Sequence, residues 1–263
     1  MAFNKNELIL DKVRSLTAHD LSDGHMLFRL TSLEDPTLTC TAEGEEVTDA
    51  IGAVITTLYR AKKATFGASN SLISLDLAAA QYGATKEVAT SEKKIIDYTY
   101  ETKDVASGVE SVKLDHTPAN HEEIKWIYSI ENNAIGTAYK AGSVASPTEF
   151  VVSEDGTITV PTGFTGRLFV EYTYEAENAN RIVNKASEFP DACSVIIYAY
   201  FKDVCNENLV YSGKIICPKA KLNPESVELA LTSTGKHAFE FTMMRDYCAE
   251  LGEDELFSII VAE

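Results

Sequence analysis

Apolar and polar positions alternate with a period of two along most of the chain, and Gly, Pro, Asn and Asp punctuate the runs. Antiparallel strands with one buried and one wet face produce this pattern, so the protein is expected to be mainly β. Ile51, Ala53, Ile55 and Tyr59 fall on one side of a strand that continues, after a turn or bulge, into Lys62-Lys63-Ala64-Thr65-Phe66, and its two faces differ in chemistry. Over 69–83 the period changes. Leu72, Leu75, Ala79 and Tyr82 recur at helical spacing, Ser69 or Asn70 stands where a cap is needed, and Gly83 can end the turn. A helix of this length is too short to stand alone, so it must lay an apolar stripe on a sheet.

From 91 to 175 the texture becomes short strands between closely spaced turn signals: 95–101, 111–114, 126–130, 149–152, 157–160 and 167–174. Asp155-Gly156 between Val151-Val152 and Thr157-Ile158-Thr159-Val160 is a strong hairpin signal, because Gly accepts the positive φ of a tight turn. A small β-sandwich is expected there, inserted at 91–175 into an outer domain made of 1–90 and 176–263. The outer domain resumes with longer strands at 193–201, 209–217, 227–231, 236–244 and 256–261. In the first of these both parities are apolar: Val195, Ile197 and Phe201 face one way, and Ile196, Tyr198 and Tyr200 the other. Such a strand needs cover on both faces, from a helix on one and a second sheet or a neighbouring subunit on the other.

Charge narrows the function. With 40 acidic and 23 basic residues the net charge is −17, so the average surface repels phosphate and nucleic-acid affinity is not expected. No apolar run approaches the ~20 residues of a membrane span. Residues 1–7 lack the basic and apolar regions of a secretory signal. The five cysteines, Cys40, Cys193, Cys205, Cys217 and Cys248, are odd in number, widely spaced and without a CxxC pair, and read as reduced core residues.

Candidate chemistry is thin. No G-x-S-x-G elbow occurs, and His19, His25, His116, His121 and His237 are scattered. His116 and His121 lack the spacing of a helical zinc site. Thr232-Ser233-Thr234-Gly235-Lys236-His237 lacks the first glycine of a phosphate loop, and Gly163-Phe164-Thr165-Gly166 reads as a turn between strands. Acids are too abundant for any pair to single out glycosidase chemistry. Trp126 with Tyr128 is the one candidate sugar-binding pair, although a lone tryptophan in a strand is ordinarily core. The expectation is therefore a non-enzymatic protein with no catalytic, cofactor or metal residues.

Three stretches together resemble the tail tube proteins of long-tailed phages. They are the acidic run Glu43-Gly44-Glu45-Glu46 leading to the strand that ends Lys62-Lys63-Ala64-Thr65-Phe66, the helix with Ala78-Ala79-Ala80-Gln81-Tyr82-Gly83, and the run Phe239-Glu240-Phe241-Thr242-Met243-Met244-Arg245-Asp246-Tyr247-Cys248 before Leu256-Phe257-Ser258-Ile259-Ile260. The likeness covers the outer domain, about two-thirds of the chain.

The resemblance implies a β-sandwich or partial barrel flanked by one α-helix, with 91–175 as an inserted immunoglobulin-like module of the kind such families carry outside the tube. It implies a virion protein, assembled in the host bacterial cytoplasm, whose hexameric rings stack into a tube and join strands into one luminal barrel. Its partners would be tape-measure, tail terminator and baseplate proteins. DNA would pass during ejection without specific binding, along a bore whose lining acids include Glu43, Glu45 and Glu46. A decoration or baseplate component of the virion is the alternative, and a carbohydrate-binding module a more distant one.

Overall fold

A computed structural model describes residues 7–204, 206, 208–225, 227–229, 235–246 and 255–262. In chain order the first elements are β1 (Leu8–Asp20), β2 (Met26–Leu30), β3 (Leu33–Thr48), β4 (Val54–Asn70) and α1 (Leu75–Tyr82). Then come β5 (Glu87–Val88), β6 (Ile95–Val105), β7 (Ser111–Lys113), β8 (Trp126–Glu131), β9 (Ala134–Ala141), β10 (Glu149–Val152), β11 (Thr157–Thr159), β12 (Gly166–Ala176) and β13 (Asn180–Arg181). Last are β14 (Ala192–Asp203), β15 (Val210–Leu222), β16 (His237–Met243) and β17 (Ser258–Ala262). The protein is mainly β, as the alternation predicts, and divides into two compact units. One comprises Met1–Lys86 with Ile182–Glu263, the other Glu87–Arg181.

The first unit is one eight-stranded sheet in the order β2-β1-β14-β15-β16-β4-β3, with β17 also paired to β15. The sheet curls into a nearly closed barrel. Its interior takes one parity from each strand: Leu16 and Ala18, Phe28 and Leu30, Phe66, Val195 and Ile197, Cys217, Phe239 and Phe241. The Phe28 and Phe241 rings stack at 6.4 Å, and Phe239 meets Phe241 edge-on at 5.8 Å. Burying such side chains contributes about 1.5–3 kcal/mol each. Gly213 has no room for a Cβ because the Phe201 ring lies across it.

The helix is shorter than its spacing predicts. Strand β4 runs on through Ser69 and Asn70, which pair with Ala238 and His237 of β16, so neither can cap. Ser74 does so instead, in an extended conformation, its side chain accepting from the Leu77 N–H at 3.2 Å. Gly83, at φ +65°, ends the helix as expected. The buried face is Leu77, Ala78, Ala79 and Gln81, while Leu72 and Leu75 are exposed. Gln81 fastens the helix to β16: its Oε1 lies 2.6 Å from His237 Nε2 and its Nε2 donates to the Ala238 carbonyl at 3.0 Å. His237 is fully buried, and burial lowers its pKa.

The second unit holds a seven-stranded path, β6-β12-β8-β9-β10-β11-β7, and the small pair β5-β13. A short parallel pairing of β9 with β10 turns the path. Ile127, Phe150, Ile158, Leu168 and Val170 form a separate core. Asp155-Gly156 makes the predicted hairpin, with Gly156 at φ +81° and Val152 opposite Ile158. Strand β9 escapes the alternation test, but Asn132 and Asn133 carry its signal. Both have positive φ, 52° and 62°, and they join Glu131 to Ala134 in a two-residue hairpin.

Three expectations are corrected. No strand forms at 227–229, where Leu229 makes only an isolated bridge to His237, and residues 230 and 231 lie outside the described residues. Trp126 is not core, since it stands on the outer parity of β8 and is 48% exposed. Cys193 and Cys217 are buried free thiols, pushed by burial up to about 11 and about 12, but Cys40 is exposed. Cys205 and Cys248 lie outside the described residues.

Candidate assembly interface

Two parts of the first unit are built but not covered. One is the far end of the β3–β4 hairpin. The two strands stay paired from Leu33↔Asn70 to Thr48↔Val54, yet only the root packs, through Ala64, Phe66, Ala68 and Asn70. Beyond a bulge at Ala61, whose φ of 49° is unusual for a residue with a Cβ, nearly every side chain is exposed. The tip is locally well made. Asp49 accepts from the Ile51 and Ala53 N–H groups at 3.0 and 2.8 Å, and Gly52 supplies the positive φ. Ile51 sits in that turn, not in the strand, and is 90% exposed.

The pleat sorts the acids of this arm. Glu43 opposite Arg60, Glu45 opposite Leu58 and Val47 opposite Thr56 form one face, where Arg60 Nη2 bridges to Glu45 Oε2 at 2.5 Å. Glu46 opposite Thr57 and Gly44 opposite Tyr59 form the other. A Cβ at Gly44 would lie 3.3 Å from the Tyr59 ring, so the glycine lets the tyrosine lie flat across β3. The structure thus brings Glu43 and Glu45 together and turns Glu46 away. All three are solvent-exposed.

The other uncovered part went unread in the sequence. Because β2 pairs only with Leu16–His19 of β1, residues 8–14 of β1 have, among the described residues, a partner on one side alone, β14. At the opposite border β17 pairs with Ser212–Ile216 of β15 and has no further partner among the described residues. The result is a four-stranded sheet, β1-β14-β15-β17, antiparallel at each step and, among the described residues, open at both edges. Open backbone edges invite further strands. Since β1 and β17 run in opposite directions, the β17 of one copy beside the β1 of another continues the antiparallel order.

The sheet's inner parity is buried along β14 and β15, at Val195, Ile197, Ala199, Tyr211 and Cys217, and exposed at Leu10 of β1 and Ile259 of β17. Its outer parity carries Lys12, Tyr198, Tyr200, Lys202, Lys214 and Ile260, with Ser212 between them. Lys202 bridges to Asp11 at 2.7 Å, and that hydrogen bond holds the Asp11 carboxyl below its ordinary pKa. Arg14 donates to the Tyr200 hydroxyl at 2.9 Å with its guanidinium 5.7 Å from the ring centre. Exposed Ile9 and Leu10 lie on β1 and exposed Ile259 and Ile260 on β17, the two border strands. This surface combines cationic and aromatic side chains on one face with backbone that is, among the described residues, unpaired at its borders.

A family model, YomU/Tube protein family, matches residues 8–250. The chain belongs to that family. This is a family of phage-type structural tube proteins, which makes the chain a virion tail component. No curated protein matches the tube chain. One group of possible metal ligands occurs among the described residues of this family member, Asp20, Asp23 and His25 in the β1–β2 turn, within 4.8 Å of one another. These groups already serve the turn: Asp20 accepts from the Ser22 N–H at 2.6 Å, and Asp23 pairs with the His25 ring at 2.6 Å, which raises the His25 pKa.

Proposed function

We propose that this tube protein closes into hexameric rings by laying β17 of each copy beside residues 8–14 of β1 in the next, and that the rings stack into a tube conducting DNA during ejection. The observation that carries the reading is the four-stranded antiparallel sheet with two free borders of compatible direction. Ring closure removes every such border, and a heterologous head-to-tail contact between rings propagates without end. The exposed β3–β4 arm is the stacking element. Its acids Glu43, Glu45 and Glu46 add negative charge to the bore where arms of adjacent rings meet. Six copies at −17 amount to on the order of −100 per ring, which keeps DNA from adhering. Length control and termination fall to tape-measure, terminator and baseplate partners, and Glu87–Arg181 is an immunoglobulin-like module inserted in the tube domain.

Proline substitution tests the closure. Along an edge strand successive N–H groups point alternately to the paired and the free side, so one of Ile9→Pro and Leu10→Pro removes a free-side donor. Electron microscopy of the purified protein should show rings or tubes for the wild type. The free-side proline variant should stay monomeric with its near-ultraviolet circular dichroism intact. A wild type that remains monomeric at all concentrations and beside its virion partners overturns the proposal. Discrete trimers would instead favour a decoration or baseplate role.

A further inference from the structure

We propose that the outer face of the β6-β12-β8 layer in Glu87–Arg181 is a saccharide-binding platform, taking a neutral oligosaccharide through ring stacking and carboxylate hydrogen bonds. The proposal concerns this unit alone and stands whether or not copies form rings. Alternate residues of β6 place Tyr98 and Tyr100 on this face, 77% and 70% exposed. Opposite them on β12 stand Thr173 and Glu171, followed by Phe169, which stacks on Tyr100 at 5.6 Å and pairs with Tyr128 of β8. Trp126 continues the same parity of β8. A groove of about 410 Å³ runs beside Tyr98, Trp126 and Tyr128 and is also lined by Asn120, Glu123 and Lys125.

The chemistry selects the occupant. Aromatic rings left this exposed on a rigid sheet form a surface that calls for a partner. A protein interface keeps its charges at the rim and its rings in the centre. Here Glu171 stands directly opposite Tyr100, inside the patch, and makes no hydrogen bond or ion pair among the described residues. An apolar protein surface laid over it would bury an unpaired carboxylate, which is strongly unfavourable. A sugar offers what both kinds of group want: the C–H face of a pyranose stacks on the ring of Tyr98 or Trp126, while its rim of hydroxyls donates to Glu171 and Glu123 and accepts from Lys125 and Asn120. The same two carboxylates repel phosphate, which disfavours nucleic acid and other polyanions.

Trp126 is the chain's single tryptophan, so its fluorescence reports the platform directly. The full-length protein is titrated with a panel of hexasaccharides of glucose, mannose, xylose, galactose and N-acetylglucosamine. At least one should shift the emission saturably, with Kd of about 0.1–1 mM. Tyr98→Ala and Glu171→Leu should each weaken that binding at least tenfold. Trp126→Phe should retain it by calorimetry where Trp126→Ala does not, with circular dichroism unchanged because all these side chains lie at the surface. The proposal is overturned if no panel member binds at about 10 mM. It is equally overturned if binding survives both Tyr98→Ala and Glu171→Leu, as it would for a strand added to the free edge of β6.

Discussion

The root and the far end of the β3–β4 hairpin are made of the same two strands, separated by the bulge at Ala61, and they differ most in what covers them. At the root, Phe66 and Ala68 point into a core shared with β16, β14 and β2. Past Ala61 the strands carry Val47, Ile55, Leu58 and Tyr59 into solvent on both faces. Strand pairing runs through both halves, so pairing is not what distinguishes them. Packing is. A two-stranded ribbon is marginal in water by itself, and the arm is held by its tip turn and by being continuous with a buried root. A segment so built leaves apolar side chains that a second surface could cover.

Breaking the root should have the largest effect. Phe241 is fully buried and touches the stacks of both Phe28 and Phe239. Phe241→Ala should lower the stability of the first unit by about 3–5 kcal/mol, seen as a fall in urea midpoint for that unit, with the second unit's separate core unaffected. Filling space should cost less. Gly213→Ala drives a methyl into the Phe201 ring, and over-packing of this kind costs about 1–3 kcal/mol. Since Gly213 lies in β15 opposite both Ala199 and Val261, the same variant should also weaken the docking of β17. Faster hydrogen exchange at residues 258–262 is the measurement.

Much of this organisation is visible in the amino-acid pattern, and what is missing has one cause. The two-faced character of Val195–Phe201 and the existence of a strand near the end of the chain follow from parity alone. That β17 pairs with β15, while β2 stops at Leu16 and leaves residues 8–14 of β1 open, is a matter of partners distant in sequence, which no local period encodes. The helix start was obscured the same way: Ser69 and Asn70 have the chemistry of caps, but the β16 ladder claims them. Density marks Glu43, Glu45 and Glu46 as a group, whereas the pleat divides them, and that division is readable from spacing once β3 is known to be a strand. Trp126 misleads because tryptophan's usual burial says nothing about which parity of β8 faces the core.

Acid provides a finer comparison, because one titrating group is locked in the buried half. His237 accepts from the Ser74 N–H at Nδ1, 3.4 Å away, and faces Gln81 at Nε2, so the neutral ring is fully used. Its folded pKa is lowered from an unfolded value near 6.5. The unfolded chain therefore binds the extra proton first. This contribution to stability is intact above pH 6.5 and is lost as pH falls below it, by at most about 1.4 kcal/mol per pH unit. Urea midpoints taken between pH 8 and 5 should fall accordingly, and His237→Gln should flatten that dependence.

The smallest effect on the chain itself is expected at the arm. Ile51 and Leu58 touch no core residue, so Ile51→Asp and Leu58→Asp should each change the unfolding free energy by no more than about 0.5 kcal/mol. If the arm is completed by another copy, the same substitutions place an uncompensated carboxylate in a protein contact and should abolish tubes while leaving single rings, as counted by electron microscopy. Glu45→Gln is the control on the same strand, since its bridge to Arg60 is exposed and surface pairs contribute little. Normal tubes from Leu58→Asp would mean that the apolar side chains of the arm do not make the stacking contact. The difference between root and far end would then reflect tolerance of exposure instead of assembly.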